Sequence, residues 1–294
     1  MLGGGLRIHA PAKVNLHLAV GATGPDGYHE LTTVFQALAF GDTVTITPAR
    51  AFAFSCTPDL DLPAEANLAH RAAREMSVRF DRPLGVSVAI EKRIPAGAGL
   101  GGASADAAAV IEGLAMLWGL EPTDPAIAEI GRSLGADVPF FFKGGAALFT
   151  GRGDVLDRAL RPLEAPMVLV KPAEPVSTAA AYAVFDALPA SHAPSAQPIT
   201  EALGAGDAAR VAHLLFNNMT DAAIGLVPEV GTVLALVAHA PGVMGAAVAG
   251  SGSTVFGVFA DDAAAERTAM AARNADLWAV ATRASDHGCV LERL

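Results

Sequence analysis

Pro95-Ala96-Gly97-Ala98-Gly99-Leu100-Gly101-Gly102-Ala103-Ser104-Ala105-Asp106-Ala107-Ala108 is the stretch on which the reading of this chain turns. Four glycines crowd a short loop that runs straight into an apolar, alanine-rich segment. From Ala103 to Trp118 the residues Ala107, Val110, Ile111, Leu114, Leu117 and Trp118 fall on one helical stripe. Glycine has no Cβ, so backbone N–H groups can turn toward an anion at close range. The unpaired N–H groups and positive dipole end of the following helix face the same anion. Ser104 adds a hydroxyl where a phosphate oxygen or magnesium could sit. Residues 95–105 therefore read as a polyphosphate cradle. A plain flexible connector would leave the clustering before a helix unexplained. Gly97-x-Gly99-x-x-Gly102 also fits a dinucleotide-binding pattern, which by itself is weak. In that motif the first glycine closes a turn at the strand end, whereas here Lys92 to Ala96 follow the expected strand Val86–Ile90. That spacing speaks against a dehydrogenase, which stays open only as an alternative on the glycine pattern. No Gly-Lys-Ser or Gly-Lys-Thr follows the glycines, which excludes a P-loop NTPase.

Further segments gain meaning beside this loop. In Pro11-Ala12-Lys13-Val14-Asn15, Lys13 and Asn15 are two apart and share one face of a strand, which leaves Leu16 and Leu18 for the opposite, buried face. Alone, Lys13 would be a solvated surface charge. In Gly135-Ala136-Asp137-Val138-Pro139, Val138 precedes a proline and is expected to be extended, holding Asp137 just past a helix end. Alone, Asp137 would be a turn residue. Asp26-Gly27 is a turn pair, followed at once by Tyr28, His29 and Glu30. An aromatic beside a turn can stack on a flat ring, and an imidazole can bond a base edge; a buried tyrosine with a surface histidine is the alternative. Gly250-Ser251-Gly252 is a hairpin turn or a second phosphate-facing loop.

At 294 residues, 52% hydrophobic and 17% charged, the chain folds and is long enough for two domains. A net charge of −10 without Lys/Arg runs argues against a nucleic-acid partner. Two distant cysteines, Cys56 and Cys289, form neither a disulfide framework nor a metal cluster and suit a reducing cytoplasm. No apolar run reads as a membrane span. The spacing predicts a helix over Asn67–Phe80 and another starting at Thr123-Asp124-Pro125 and ending at Gly135. Strands are expected at Arg7–Ala19, Thr43–Thr47, Phe140–Phe142, Ala146–Thr150, Met167–Lys171 and Thr254–Phe259, with Pro189–Pro198 a loop and two helices after it. Strands and helices mix without strict alternation, so the fold class is α+β, and the Pro162–Pro166 stretch divides it into 1–162 and 163–294.

In this order the segments resemble the GHMP kinase superfamily, over most of the chain from Pro11 to Phe259. Within it, the Pro-Ala-Lys-Val-Asn-Leu start and the Asp-Gly-Tyr-His-Glu-Leu block are most similar to members that phosphorylate a cytidine-diphosphate sugar alcohol. The resemblance implies two α+β domains with the site in the cleft between them, ATP and Mg2+ as cofactors, and a monomer or homodimer. It implies that Lys13 and Asp137 are the catalytic pair and that residues 95–105 hold the ATP phosphates, with Asn67 on the adenine side. Asn15 then lies by the reacting hydroxyl and Tyr28 and His29 at the cytosine. Gly250, Ser251 and Gly252 also fall on the substrate side. This chain departs from the family at Gly24, where an arginine is usual, at Ala103 and Ala105 beside Ser104, and at Ala249.

Overall fold

Two long extended segments at the start of the chain pair with each other and set the frame for everything after them. The computed structural model describes residues 4–24, 27–189 and 193–294. β1 (Leu6–Thr23) and β2 (His29–Pro48) run antiparallel. The Asp26 half of the Asp-Gly turn between them lies outside the described residues. β3 (Ala53–Thr57), α1 (Leu68–Arg79) and β4 (Val86–Glu91) follow, with β3 parallel to β4. Then come α2 (Gly102–Trp118), α3 (Pro125–Leu134), α4 (Val138–Lys143), β5 (Ala146–Thr150) and β6 (Val155–Leu160). These strands form one sheet in the order β3-β4-β2-β1, with β5 on β2 and β6 on β5.

A second, antiparallel sheet starts with β7 (Pro166–Lys171). α5 (Thr178–Ala187), α6 (Gln197–Ala205), α7 (Ala208–His213), the two-residue β8 (Phe216–Asn217), α8 (Thr220–Leu226) and α9 (Glu229–Ala238) lead to β9 (Val243–Val248) and β10 (Val255–Phe259). α10 (Asp262–Asn274), β11 (Trp278–Arg283) and β12 (Val290–Arg293) finish the chain. The second sheet has the order β11-β7-β10-β9, while β8 and β12 return to the first sheet and pair with β1. The architecture is α+β, as expected. We propose 1–162 and 163–294 as its two units, with β8 and β12 as returns across that division.

Among the described residues three apolar cores follow from this arrangement. One lies between the first sheet and α1–α4, and holds Phe35, Phe140 and Phe149 with the alanine face of α2. A second joins the two sheets through Ala12, Val14 and Leu16 of β1 and Met167, Leu169 and Phe256 of the second sheet. A third seals the far face of the second sheet with α5, α8, α9 and α10. Each fully buried Leu, Ile or Phe contributes about 1.5–3 kcal/mol of transfer free energy. β1 is thus covered on both faces through its middle, which fixes the position of any polar side chain it carries.

Some local expectations give way to packing. Phe140–Phe142 is helical, within α4, and Val138 is its first residue rather than an extended one. Three adjacent aromatics carry no period, and Pro139 in the first turn of a helix costs nothing because that N–H would be unpaired anyway. Gly135 closes α3, but through extended backbone (φ 177°) and not a left-handed cap. Four helices, not two, lie between the Pro189–Pro198 region and β9 among the described residues. The register of β1 slips between Asn15 and His17. That one-residue slip moves Leu18 off the face of Leu16. The loop before α2 has no dinucleotide-fold context: β4 and β5, the strands flanking α2, α3 and α4, both pair antiparallel with β2.

Candidate active site

Lys13 lies in β1 between two register shifts, so its side chain leaves the regular pleat and enters a cleft of about 520 Å³. It is buried, and its Nζ donates to Asn15 Oδ1 at 2.9 Å and lies 3.3 Å from Asp137 Oδ2. The Lys13 ammonium also stands 5.2 Å from the centre of the Phe35 ring. Asn15 is fixed in turn. Its Nδ2 donates to Thr33 Oγ1 at 2.8 Å, and its Oδ1 also accepts from Gly250 N at 3.1 Å. Asp137 comes from the start of α4, with its side chain about one-third exposed to the cleft. A cation, a carboxylate and an amide thus converge from β1 and α4 although the sequence separates them by more than a hundred positions.

The glycine loop forms the adjoining wall, packed directly on Lys13. Residues 95–104 line the cleft, together with Asp106. Ala105 does not: it is fully buried, its N–H donating to Gly101 O and its carbonyl accepting from the Cys289 thiol at 3.8 Å. The glycines also have a packing reason. Gly97, Gly99 and Gly101 all have positive φ, and a Cβ on Gly99 would meet Ala249 O at 2.2 Å and Gly252 O at 2.8 Å. The loop is therefore pressed onto the Gly250–Gly252 turn, and Lys13 N donates to Leu100 O at 2.9 Å from the other side. Gly250 and Ser251 line the cleft, whereas Gly252 packs behind the loop. α2 begins without a side-chain cap, so its first N–H groups stay available at the cleft. Asn67 is the N-cap of α1: its Oδ1 accepts from Ala69 N at 2.9 Å while the residue lines the cleft beside Leu60, Leu62 and Leu68.

Tyr28 and His29 are not on this wall. They line a side depression with Gly24, Glu30, Gly151, Arg152 and Asp154. The Tyr28 ring is exposed and carries the Arg152 guanidinium 3.6 Å above it. The His29 ring is mostly buried, its Nδ1–H donating to Gly21 O at 2.8 Å, with Nε2 3.2 Å from Asp186 Oδ1. It reaches the cleft through a ring contact, because Tyr182 stands 5.0 Å from it and lines the cleft. Burial, with the Asp137 charge adding to it, pushes the Tyr182 phenol up to about 12, so it remains a donor at neutral pH.

Sequence reasoning missed Tyr182, Thr33 and Thr178, all on the cleft wall. Tyr182 is one of only two tyrosines in the chain, which was the available signal. Thr178 Oγ1 lies 3.1 Å from Ser251 Oγ and closes the cleft between α5 and the glycine turn. Lys92, with Asp42 and Asp106, was missed as well; burial pushes the Asp106 carboxyl up to about 7 against the pull of Lys92. Among the described residues no cluster of three or more His, Cys, Asp or Glu side chains is placed to hold a metal ion.

Residues 67–145 match the GHMP kinases N terminal domain and residues 199–275 the GHMP kinases C terminal domain. The chain belongs to the GHMP kinases. A 4-diphosphocytidyl-2-C-methyl-D-erythritol kinase of Gloeobacter violaceus is 38% identical over 266 residues, 89% of this chain and 88% of that one. The Moorella thermoacetica enzyme of the same name is 41% identical over 270 residues, 90% of this chain and 93% of its own. The crystal structure of a 4-(cytidine 5'-diphospho)-2C-methyl-D-erythritol kinase superposes with a TM-score of 0.81 at 34% identity, covering 95% of this chain and 99% of that one. A homoserine kinase from Cytophaga hutchinsonii superposes at 0.76 with 19% identity, over 99% of this chain and 98% of its own, which speaks for the shared fold alone. As a GHMP kinase the chain uses ATP, and its two-domain fold is that of the family. Among the described residues no helix is long and apolar enough to cross a membrane.

Proposed function

We propose that this GHMP kinase transfers the γ-phosphoryl group of ATP to the 2-hydroxyl of 4-diphosphocytidyl-2-C-methyl-D-erythritol, a step of the non-mevalonate route to isoprenoid precursors. The observation that carries the reading is the Lys13–Asp137 pair, 3.3 Å apart, beside the glycine loop in one cleft. Relatives named for this activity match nearly the whole chain.

Phosphoryl transfer asks a protein mainly for positioning and charge stabilisation. Asp137, the partly exposed carboxylate of the pair, accepts the proton of the attacking hydroxyl. Lys13 offsets the charge that develops on the transferred group. Asn15, tied to Lys13, Thr33 and Gly250, sets the direction of the ammonium. The N–H groups at the start of α2 and in the 95–101 loop hold the polyphosphate, with the adenine end toward Asn67, Leu60 and Leu62. When bound with ATP, magnesium would supply charge neutralisation to the polyphosphate. The Ser104 hydroxyl, which lines the cleft at the loop exit, would be its protein partner, since magnesium is commonly held by few protein groups together with substrate phosphates.

The acceptor's cytidine runs outward along Tyr182, His29 and Tyr28, and Ser251 with Thr178 faces its diphosphate. The two unpaired cysteines fit a reducing cytoplasm. A coupled ADP-release assay with the cytidine acceptor, its uridine counterpart, homoserine and mevalonate tests the reading. ADP release is expected with the cytidine acceptor above all; equal or better turnover of homoserine or mevalonate would replace it with another alcohol.

A further inference from the structure

Beside the glycine loop, where Lys92 and Asp106 reach the cleft wall, lies a largely buried group of charges that the transfer mechanism does not use. Lys92 follows β4, Asp42 is fully buried in β2, and Asp106 is buried in the second turn of α2. The Lys92 ammonium donates to Asp42 Oδ2 and, at 2.6 Å, to Asp106 Oδ2. Asp42 Oδ1 is also committed, accepting from Arg93 N at 2.5 Å and Ile94 N at 2.8 Å, the last residues before the loop. The second oxygen of Asp106 is buried without a partner. Burial opposes the Lys92 charge, but Asp106 and Asp42 outweigh it and hold it as an ammonium.

Two buried carboxylates around one ammonium are a poor way to stabilise a core, since apolar residues of similar volume commonly do as well or better. What this group supplies is geometry. Asp42 grips the entrance of the loop at Arg93 and Ile94, and Asp106 belongs to the helix at its exit. Lys92 is the tie between the two. The ammonium sits at the start of α2, 3.2 Å from where a Cβ on Gly102 would lie. The loop's middle is fastened separately, through Leu100 O to Lys13 N and Ala98 O to Thr254 N.

We propose that Lys92 is a positioning residue for phosphoryl transfer: through Asp42 and Asp106 it locks the entrance of the 95–101 loop to the helix at its exit, and so sets the span over which backbone N–H groups meet the phosphates of ATP. This rests on the reading of that loop as the ATP cradle. It predicts that loosening the tie harms ATP binding and turnover while sparing the acceptor.

Assayed above pH 7, where Asp106 is mostly ionised, Lys92→Met combined with Asp106→Ala removes one positive and one negative charge together, leaving the buried net charge as it was and Asp42 still holding Arg93 and Ile94. Asp106→Ala alone leaves a neutral Lys92–Asp42 pair and serves if the double variant does not fold. For either folded variant, kcat and the KM of ATP and of acceptor are measured, and the Kd of a non-hydrolysable ATP analogue is titrated directly. The expected result is an analogue Kd and ATP KM raised about tenfold, kcat lowered about ten- to a hundredfold, and acceptor KM within about twofold of the parent. Unchanged ATP constants, or equal losses for ATP and acceptor, would make the group a structural element only. The analogue titration needs no acceptor, so it keeps its meaning even if the proposed alcohol is the wrong one.

Discussion

Substituting Gly101 should damage turnover more than nucleotide binding, and the structure says why. Gly101 is the N-cap of α2, with φ 72° in the left-handed region. A non-glycine residue there costs about 1–2 kcal/mol. The added Cβ of Gly101→Ala would lie 2.8 Å from Phe141 Cζ, 2.9 Å from Lys13 Cγ and 3.2 Å from Lys13 Cε. Crowding of this kind adds about 1–3 kcal/mol. Phe141 is fully buried among the aromatics of α4 and cannot retreat, so the Lys13 stem must give way. Its Nζ then leaves the positions 2.9 Å from Asn15 and 3.3 Å from Asp137. A displacement near 1 Å at a reacting group costs about a hundredfold in rate. Gly101→Ala should therefore lose about 2–5 kcal/mol of stability, seen in chemical denaturation. In the folded variant kcat should fall at least about tenfold with a smaller change in ATP KM. A folded variant with normal kcat and a strongly raised ATP KM would refute the reasoning, because the missing Cβ would then serve the nucleotide and not Lys13.

Asp137→Asn keeps shape but takes no proton, so kcat should drop by about two orders of magnitude with ATP affinity retained; near-parent turnover in a single-turnover assay would remove Asp137 from the mechanism. Tyr182→Ala should raise the acceptor KM by about tenfold or more through lost stacking and leave ATP alone, and His29→Ala should narrow the gap between cytidine and uridine acceptors; losses shared equally by both substrates would make these rings structural. Glu112 of α2 has a buried oxygen without a partner, and burial pushes its carboxyl from 4.5 up to about 8, against the pull of Cys289. The folded state thus keeps a proton that the unfolded chain releases, so its contribution is full below about 4.5 and is lost as pH rises through about 8. Glu112→Gln should flatten that decline and stabilise the protein by up to about 4 kcal/mol above pH 8; unfolding curves with the parent's pH dependence would contradict it.

Elements whose signals are local were legible in the sequence. α1 carries its apolar residues at four-residue spacing, which was readable, whereas the capping role of Asn67 came from the structure. The glycine loop and the helix after it were readable because strand, glycines and amphipathic stripe lie within one window. The slip in β1 that turns Leu18 into the cleft was not, since a bulge depends on the partner strand's register. α4 was hidden by three adjacent phenylalanines that β-propensity assigns to a strand, while packing against Phe35 and Phe149 makes a helix of them. The meeting of Lys13 with Asp137 was expected only through resemblance to known kinases. Tyr182 and the Lys92 group escaped altogether, because their partners come from distant segments and no spacing within one window announces them.

The central claim is the transfer itself, and its product has a distinctive signature. The acceptor's C2 carries a methyl group and no hydrogen, so a phosphate on its 2-hydroxyl has no proton three bonds away. Incubation with ATP, magnesium and the cytidine acceptor, followed by proton-coupled phosphorus NMR, should show a new phosphomonoester as an unsplit signal growing in step with ADP. A new monoester split by neighbouring protons would place the phosphate on another hydroxyl. ADP formation without any new monoester would contradict the kinase reading outright.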